Sequence, residues 1–491
     1  MPPVLASFLC AVVVVCLLVR DAWRSPRPSP ALWIPLFWLL IISSRLPSEW
    51  VGGISLATST ASDYMDGSPL DRNIFLALMV LAAFVVARRS VSWGSFTLGN
   101  AAIALFFIFS FVSIGWSDYP LVAFKRWHKV LGHVIVALVV LTDREPNLAL
   151  TALVRRCAYV LVPLSVLYIK YYPTLGRGFD FWTGAAVNTG ITTDKNALGN
   201  LCLITGLFFV AMMFVGSKGK RFVAGVDRYI AIVFIYTIGW LLIMAQSSTA
   251  LVSTVLGAAT ILGLRSTLVR RHFTTLLLTG CVIVGSAVAF TDIKDEFILG
   301  LGEDTTLTGR TGLWEDLEAI PINPLVGVGF ESFWLGERLE RLWRKYWWRP
   351  NQAHNGYYEM YLNLGWVGLL VLCSMILSGY YKARKQTLVA VPADGDDALA
   401  RGLAEFRLAF ILALAAYNVT DATFKALHPS FFVFFLVSLE YCPGLVTAPV
   451  ASRREELLRD ARQMSVRQPL MIDAPPRIRS SAARGGASRV R

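Results

Sequence analysis

Apolar stretches of bilayer-spanning length recur along most of this 491-residue sequence. A helix needs roughly 17–25 mainly apolar residues to cross the hydrocarbon core of a bilayer. Thirteen segments approach or reach that length when flanking aromatic and small residues are included. They centre on residues 4–19, 31–43, 73–87, 99–115, 129–142, 157–169, 196–216, 228–245, 249–264, 273–290, 357–379, 404–420 and 430–446. The sequence therefore predicts an all-α, polytopic transmembrane helical bundle of about 12–13 spans.

The composition agrees with a membrane protein. Apolar types make up 55% of the chain and charged types 16%, whereas about a quarter of a typical soluble protein is charged. This excludes a cytosolic enzyme, a secreted disulfide scaffold and a disordered protein. The net charge of +13 does not indicate nucleic-acid binding, because Lys and Arg of membrane proteins collect on the cytoplasmic side. The seven cysteines lack metal-ligand spacing, so we expect no metal site.

Basic residues concentrate in every other predicted loop. Under the positive-inside rule, this alternation predicts an N-terminus outside the cytoplasm and a C-terminus in the cytoplasm. The residues in the predicted cytoplasmic loops are Arg20, Arg24, Arg27, Arg88, Arg89, Arg144, Arg155, Arg156, Lys218, Lys220, Arg221, Arg228, Arg265, Arg270, Arg271, Lys382, Arg384, Lys385 and Arg401.

The chain divides into four parts by this pattern. Residues 1–290 hold the first ten predicted helices, and residues 291–356 form one long extracytoplasmic loop. Residues 357–446 hold the last helices, and the Arg-rich residues 447–491 are predicted to be a disordered basic cytoplasmic tail, since such a composition cannot bury a core.

The long loop is predicted to be helical. Leu313, Trp314, Leu317 and Ile320 form an apolar stripe on a helix predicted over residues 312–320. A second apolar stripe lies on another predicted helix, whose opposite face carries Glu, Arg and Lys. This pattern is typical of a helix that lies in the bilayer interface. The alternative is a structural cap over the bundle. The second stripe comprises Phe333, Leu335, Leu339, Leu342, Trp343 and Tyr346.

Chemically useful residues stand at both ends of this loop. Arg310 precedes the first loop helix, where backbone N–H groups and the helix dipole favour an anion, and a guanidinium would add a forked phosphate clamp. His354 lies in a polar run directly before a predicted span. A neutral imidazole could accept a hydroxyl proton near pH 7, although a hydrogen-bonded anchor is the alternative for an interfacial His.

Several motifs in this region occur in a familiar order. They are Gly309-Arg310, Trp314, Asn323-Pro324-Leu325, Gly327, Gly329, His354-Asn355, Leu364-Gly365 and Gly368, together with Lys195-Asn196 and Ser117-Asp118-Tyr119-Pro120. In order and spacing they resemble the signature of the O-antigen ligase and polymerase family over roughly residues 100–440. The flanks of Lys195 and the turn Gln246-Ser247-Ser248-Thr249 resemble the exopolysaccharide polymerase branch, of the ExoQ type, most closely.

The resemblance implies a GT-C-like membrane glycosyltransferase that is inverting and metal-independent and needs no cofactor. The donor would be a glycan on undecaprenyl diphosphate at the periplasmic face of the bacterial inner membrane, with a second glycan as acceptor. Arg310 would bind the diphosphate and His354 would activate the acceptor hydroxyl. A flippase and a chain-length regulator would be further protein partners.

One departure from the family concerns the second cation. Where many ligases carry an Arg, this chain has the uncharged Ser248. Lys195 and Arg177 are therefore candidate substitutes, although both could simply reach the interface. Arg126, with Lys125 and His128 in a predicted outer basic loop, is a further candidate for binding diphosphate or glycan.

Two more substrate-binding candidates come from the resemblance. Asn355 follows His354 in the matched motif, and Asp421 is an acid at the outer end of a predicted helix. Asp421 could orient His354 or bind the acceptor, or it could be an ordinary polar residue at a helix end.

Three functions stay open at this point. The first is polymerisation of lipid-linked repeat units, and the second is a ligase that transfers glycan to lipid A–core. The third is a transporter or flippase of lipid-linked sugars, which typically places ionisable residues near the bilayer midplane.

Overall fold

Helices dominate the part of the chain that the computed structural model describes. That part comprises residues 1–24, 28–52, 65, 67–179, 184–215, 228–290, 310–389 and 396–440, all within one compact unit, Met1–Cys442. The predicted tail 447–491, residues 291–309 of the loop and the predicted loop residues Arg27, Lys218, Lys220 and Arg221 lie outside the described residues.

The first half of the described chain contains nine helices and a small hairpin. The helices are α1 Pro3–Arg24, α2 Trp33–Ile42, α3 Pro47–Trp50, α4 Pro69–Ala87, α5 Trp93–Gly99, α6 Ala101–Val112, α7 Pro120–Leu141, α8 Pro146–Tyr171 and α9 Pro173–Gly176. Strand β1, Arg177–Phe179, pairs antiparallel with β2, Ala186–Asn188, in a two-stranded sheet that the sequence did not predict. Short 3-10 helices cover Pro30–Leu32 and Ser113–Trp116.

The second half is helical throughout its described residues. The helices are α10 Lys195–Met212, α11 Arg228–Ala245, α12 Ser248–Gly263, α13 Thr267–Phe290, α14 Arg310–Glu318, α15 Gly336–Lys345, α16 Gly356–Val389, α17 Asp396–Tyr417 and α18 Pro429–Ser438. A helix occupies each of the thirteen predicted apolar segments, so the predicted all-α polytopic bundle is confirmed.

Seven or eight of the predicted 12–13 spans are long, strongly apolar helices in the described part of the chain. Among the described residues, seven helices are long and apolar enough to cross a membrane, or eight if α5 and the segment Ala101–Trp116, which meet at 92°, count as one. The predicted 12–13 included short helices such as α12. Its 16 residues, at about 1.5 Å per residue, extend roughly 24 Å, less than the hydrocarbon core of about 30 Å.

Several basic residues predicted in loops lie on helices instead. Arg155 and Arg156 are inside α8, and Lys125, Arg126 and His128 are inside α7. The reason is that these helices begin before their apolar runs, which are all that hydropathy detects. Arg401 is a further example in α17, whereas Arg384 lies on a helix because α16 continues past the end of its apolar run.

Helix α10 lies at the centre of the bundle. It is buried along most of its length and packs against α8, α11, α12, α17 and α18. By contrast, only 6% of the apolar window of α1 and of α13 is buried, and side chains such as Phe8 and Ile283 are exposed. Apolar exposure of this extent is stable only against lipid, which agrees with a multi-pass membrane protein.

Two glycine motifs interlock backbone to backbone. Helix α16 breaks at Gly365, whose φ of 65° suits glycine, and the turn at residues 323–329 fills the break. The amide N–H of Trp366 donates to Pro324 O, and that of Gly329 donates to Asn363 O, both at 2.9 Å. A Cβ on Gly365 would lie 2.3 Å from Leu325 C, so only glycine permits this contact. The interlock fixes the loop onto the first turns of α16.

The loop helices pack on each other. Leu313 and Leu317 of α14 share a buried cluster with Leu339 and Leu342 of α15. Their apolar stripes therefore face protein, and the interfacial location of these helices stays a prediction. Asp316 ties the two helices together by accepting from Tyr346 Oη at 2.6 Å.

Candidate active site

His354 lies in the loop that leads into α16, and its backbone is held on both sides. Its φ of 52° is a left-handed conformation that non-glycine residues adopt mainly under constraint. The preceding residue, Ala353, donates its N–H to Glu359 Oε2 at 2.8 Å and accepts from Trp314 Nε1 at 2.7 Å. Helices α14 and α16 therefore fix the backbone next to the imidazole.

A polar network surrounds the imidazole. Gln352 Nε2 lies 3.3 Å from His354 Nδ1 and donates to Asp421 Oδ1 at 3.2 Å. Lys425 Nζ donates to Gln352 Oε1 at 2.7 Å. Asp421 Oδ1 is itself 3.9 Å from His354 Nδ1, so Gln352 stands between the carboxylate and the ring.

Arg310 is the first residue of α14 and lies at this network. Its Nη1 donates to the backbone carbonyl of Thr420 at 2.7 Å, next to Asp421. The structure therefore brings together Arg310, His354 and Asp421, three of the residues predicted from the sequence. Thr308 and Gly309, which precede Arg310 in the matched motif, lie outside the described residues.

The local electrostatics favour anions over cations. Burial and, after it, the positive charges of Arg310 and Lys425 together lower the pKa of His354 to about 3, against the opposing charge of Asp194. His354 is therefore neutral at pH 7, with a lone pair on one ring nitrogen. About a fifth of the side chain, 22%, is exposed and open to a substrate. The same positive potential that opposes an imidazolium favours a diphosphate.

The turn that lacks the expected Arg lies next to the site. Thr249 Oγ1 is 2.7 Å from Thr420 Oγ1. Thr420 is also the residue whose backbone carbonyl accepts from Arg310. Ser247 Oγ donates to Asn196 Oδ1 at 2.9 Å, which joins this turn to the start of α10. Ser248 itself is uncharged and supplies no cation to the site.

Lys425 was missed by the sequence analysis. It follows α17, and its charge reaches His354 together with that of Arg310. A signal was present in the sequence: Lys425 is the only Lys or Arg between Arg407 and Glu440, and it comes four residues after Asp421. A lone cation in an apolar stretch is costly unless it has a partner or a function.

The other candidate cations lie in different surroundings. Arg177 directs Nε and Nη2 to Ile169 O, at 3.0 and 2.9 Å, near the C-terminus of α8. Arg126 Nη1 donates to Glu331 O at 2.7 Å. Lys195 is the first residue of α10, directly after the N-cap Asp194, whose charge acts on His354. Lys195 therefore lies beside the site, and Arg126 lies near it as well, because Glu331 also accepts from the N–H of Ala426, next to Lys425.

Asn355 caps a helix. Its Oδ1 accepts from the N–H groups of Tyr357 and Tyr358, both at 3.0 Å, at the start of α16. This contact satisfies free amides of the first turn and helps to place the adjacent His354.

Comparison with known proteins agrees with this geometry. Residues 231–373, which include Arg310 and His354, match a family described as O-Antigen ligase. The predicted resemblance to the O-antigen ligase family is confirmed. The chain is also 28% identical over 378 residues to the exopolysaccharide production protein ExoQ of Rhizobium meliloti (strain 1021), which covers 74% of this chain and 81% of the relative. The similarity indicates a multi-pass membrane enzyme of the ligase or polymerase type.

Proposed function

We propose that this protein is an inverting, metal-independent glycosyltransferase that polymerises undecaprenyl-diphosphate-linked repeat units of an exopolysaccharide. The reaction would take place at the periplasmic face of the bacterial inner membrane, with the N-terminus periplasmic and the C-terminus cytoplasmic. The observation that carries the proposal is the convergence of Arg310, Lys425 and neutral His354 at one point, where α16 begins and α17 has ended.

The roles follow from the charges. Arg310 and Lys425 would bind the two phosphates of the donor, and Lys425 would supply the cation that Ser248 lacks. Fixed cations stabilise the negative charge that develops on a diphosphate leaving group. Lys195 stays a candidate for a third contact at the start of α10.

The chemical step is a single displacement. The acceptor hydroxyl oxygen attacks the anomeric carbon of the donor, and the bond from that carbon to the diphosphate oxygen breaks. The lipid diphosphate leaves with the bonding electron pair, the hydroxyl proton passes to His354, and the anomeric configuration inverts. The charge of a bound diphosphate would oppose that of Arg310 and Lys425, which raises the pKa of His354 and makes it a stronger base.

The location of the charged groups supports transfer over transport. Arg310, His354, Asp421 and Lys425 all lie in loops or at a helix terminus, whereas transporters typically bind substrate within broken spans near the midplane. We therefore do not favour the flippase.

Product length tests the proposal directly. Purified full-length protein in nanodiscs is incubated with lipid-linked repeat units extracted from a host strain that lacks the gene. Chains longer than one repeat unit are expected on a carbohydrate gel. Unchanged repeat units under these conditions would reject the polymerase.

His354→Ala tests the base. We expect chain formation to fall by about 10²- to 10⁴-fold, the usual contribution of a positioned acid or base. His272→Ala, an exposed His at the kink in α13, is the matched control and should retain wild-type activity. Full activity of His354→Ala would remove the assigned role of His354.

A ligase is the second candidate, because the matched family is described as O-Antigen ligase. It would use the same donor site but transfer glycan to lipid A–core. Adding purified lipid core to the assay separates the two functions: a ligase labels only the core, and a polymerase lengthens chains in its absence.

A further inference from the structure

The orientation of the Gln352 amide is fixed by its two charged neighbours. The ammonium of Lys425 can only donate hydrogen bonds, so the atom that faces it must be the amide oxygen. The Oδ1 of Asp421 accepts from the N–H of Ala422 at 2.8 Å and also from Gln352, so the atom that faces it must be the amide nitrogen. In a flipped amide, the nitrogen would face the Lys425 ammonium and the oxygen would face the Asp421 carboxylate, so both contacts would be repulsive.

This orientation sets the tautomer of His354. The same Nε2 of Gln352 that serves Asp421 lies 3.3 Å from His354 Nδ1 and presents an N–H to it. Nδ1 must therefore hold the lone pair, and in the neutral ring the proton lies on Nε2. The resting ring thus has its only lone pair covered by Gln352 and cannot accept a proton from an acceptor hydroxyl.

We propose that Gln352 is a positioning residue that holds His354 in an inactive tautomer until a diphosphate draws Lys425 away from it. Once Lys425 binds phosphate, Gln352 loses the bond to its oxygen and can withdraw. His354 Nδ1–H then pairs with Asp421, 3.9 Å away in the resting site, and the lone pair moves to Nε2. The proton moves from Nε2 to Nδ1 through solvent, so the ring stays neutral.

The preference of Lys425 for phosphate supplies the driving force. A phosphate carries a full negative charge, whereas the Gln352 oxygen carries only a partial one, so the phosphate is the stronger partner for the ammonium. The donor therefore competes with Gln352 for the ammonium, and part of its binding free energy goes into exposing the base. The inference rests on the proposed donor but not on which acceptor is used.

The tautomer can be read by NMR without any turnover. Full-length protein labelled with [15N]histidine is placed in nanodiscs of phosphatidylethanolamine and phosphatidylglycerol, and the His354 signals are assigned by their loss in His354→Asn. We expect an unprotonated Nδ1 in the resting protein and a protonated Nδ1 after addition of inorganic diphosphate.

Three variants test the roles of Gln352 and Lys425 separately. Gln352→Glu keeps the size but cannot donate to Nδ1, so it should protonate Nδ1 without diphosphate. Lys425→Met removes the bond to the Gln352 oxygen permanently, so it should protonate Nδ1 without diphosphate and show no further response to diphosphate. Gln352→Ala should bind inorganic diphosphate about 2- to 10-fold more tightly, because one hydrogen bond no longer competes for Lys425.

The matched control is Gln386→Ala, which removes a glutamine that accepts from Arg407 at 2.7 Å. It should leave diphosphate affinity and the His354 tautomer unchanged. A resting ring protonated on Nδ1, no change with diphosphate, or weaker binding by Gln352→Ala would each overturn the inference. The product assay decides separately on glycosyl transfer, so failure of one proposal is distinguishable from failure of the other.

Discussion

Two groups of cationic side chains in this protein have different kinds of hydrogen-bond partner. Arg155 and Arg156 on α8 both pair with Asp21 on α1, a carboxylate whose side chain is only 2% exposed. Arg310 and Lys425 at the candidate site instead donate to neutral oxygens, a backbone carbonyl and a side-chain amide.

Under the proposed function, this difference separates structural cations from cations that bind the donor. A buried ion pair has already exchanged hydration for a partner of opposite charge, and it holds two helices together. A cation whose hydrogen bond goes to a neutral acceptor can exchange that acceptor for a phosphate without breaking an ion pair. Residue type does not distinguish the two groups, but the partner does.

The largest effect is expected where a buried pair is broken. Asp21→Asn leaves two guanidinium groups without their carboxylate and should lower the free energy of unfolding by about 3–5 kcal/mol. Asp118→Asn is the control, because Asp118 pairs with Arg338 at 2.8 Å while its side chain is 60% exposed, and about 0–1 kcal/mol is expected. Thermal unfolding in detergent measures both. Equal losses would show that burial does not decide the strength of these pairs.

The next effect is on activity alone. Arg310→Gln removes a cation from the leaving group and should lower kcat/KM by about 10²- to 10³-fold, with thermal stability close to that of the wild type. Arg344→Gln, on the exposed side of α15, should change neither quantity. A loss of stability in Arg310→Gln as large as that of Asp21→Asn would place Arg310 among the structural cations.

The smallest effect is a shift in pH dependence. Burial and the charges of Arg310 and Lys425 lower the pKa of His354 to about 3, against the opposing charge of Asp194, and Asp421 lies 3.9 Å from the ring. A base is lost as the pH falls through its pKa, so protonation of His354 should not reduce wild-type kcat/KM between pH 7 and pH 5.

Lys425→Met removes one of the charges that lower this pKa. The acid limb of kcat/KM should therefore move to higher pH, and Lys385→Met, at an exposed position on α16, should leave it in place. A limb that moves to lower pH in Lys425→Met would contradict the assigned electrostatics.

The sequence predicted the bundle and the residues of the site better than it predicted their partners. Apolar runs locate helices because burial in lipid requires them, and Arg310 and His354 stood out as polar residues beside such runs. Arg155 was wrongly predicted to lie in a loop because α8 begins before its apolar run. Its ion pair with Asp21 is a long-range contact that leaves no local sequence pattern.

Other features depended on the fold as well. Lys425 reaches Gln352 only because the segment after α17 folds against the segment before α16. The break in α16 at Gly365 was hidden in an apolar run that predicts a continuous helix. Individual propensities do not report such tertiary contacts.

The interlock between the turn at 323–329 and α16 restricts how this protein can be re-engineered or can diverge. Each segment completes the hydrogen bonds of the other, so neither has a satisfied backbone when transplanted alone. A chimera with a related enzyme should exchange residues 323–367 as one block, with junctions outside it. Recombination with a related chain can then exchange this region only in pieces large enough to carry both partners together.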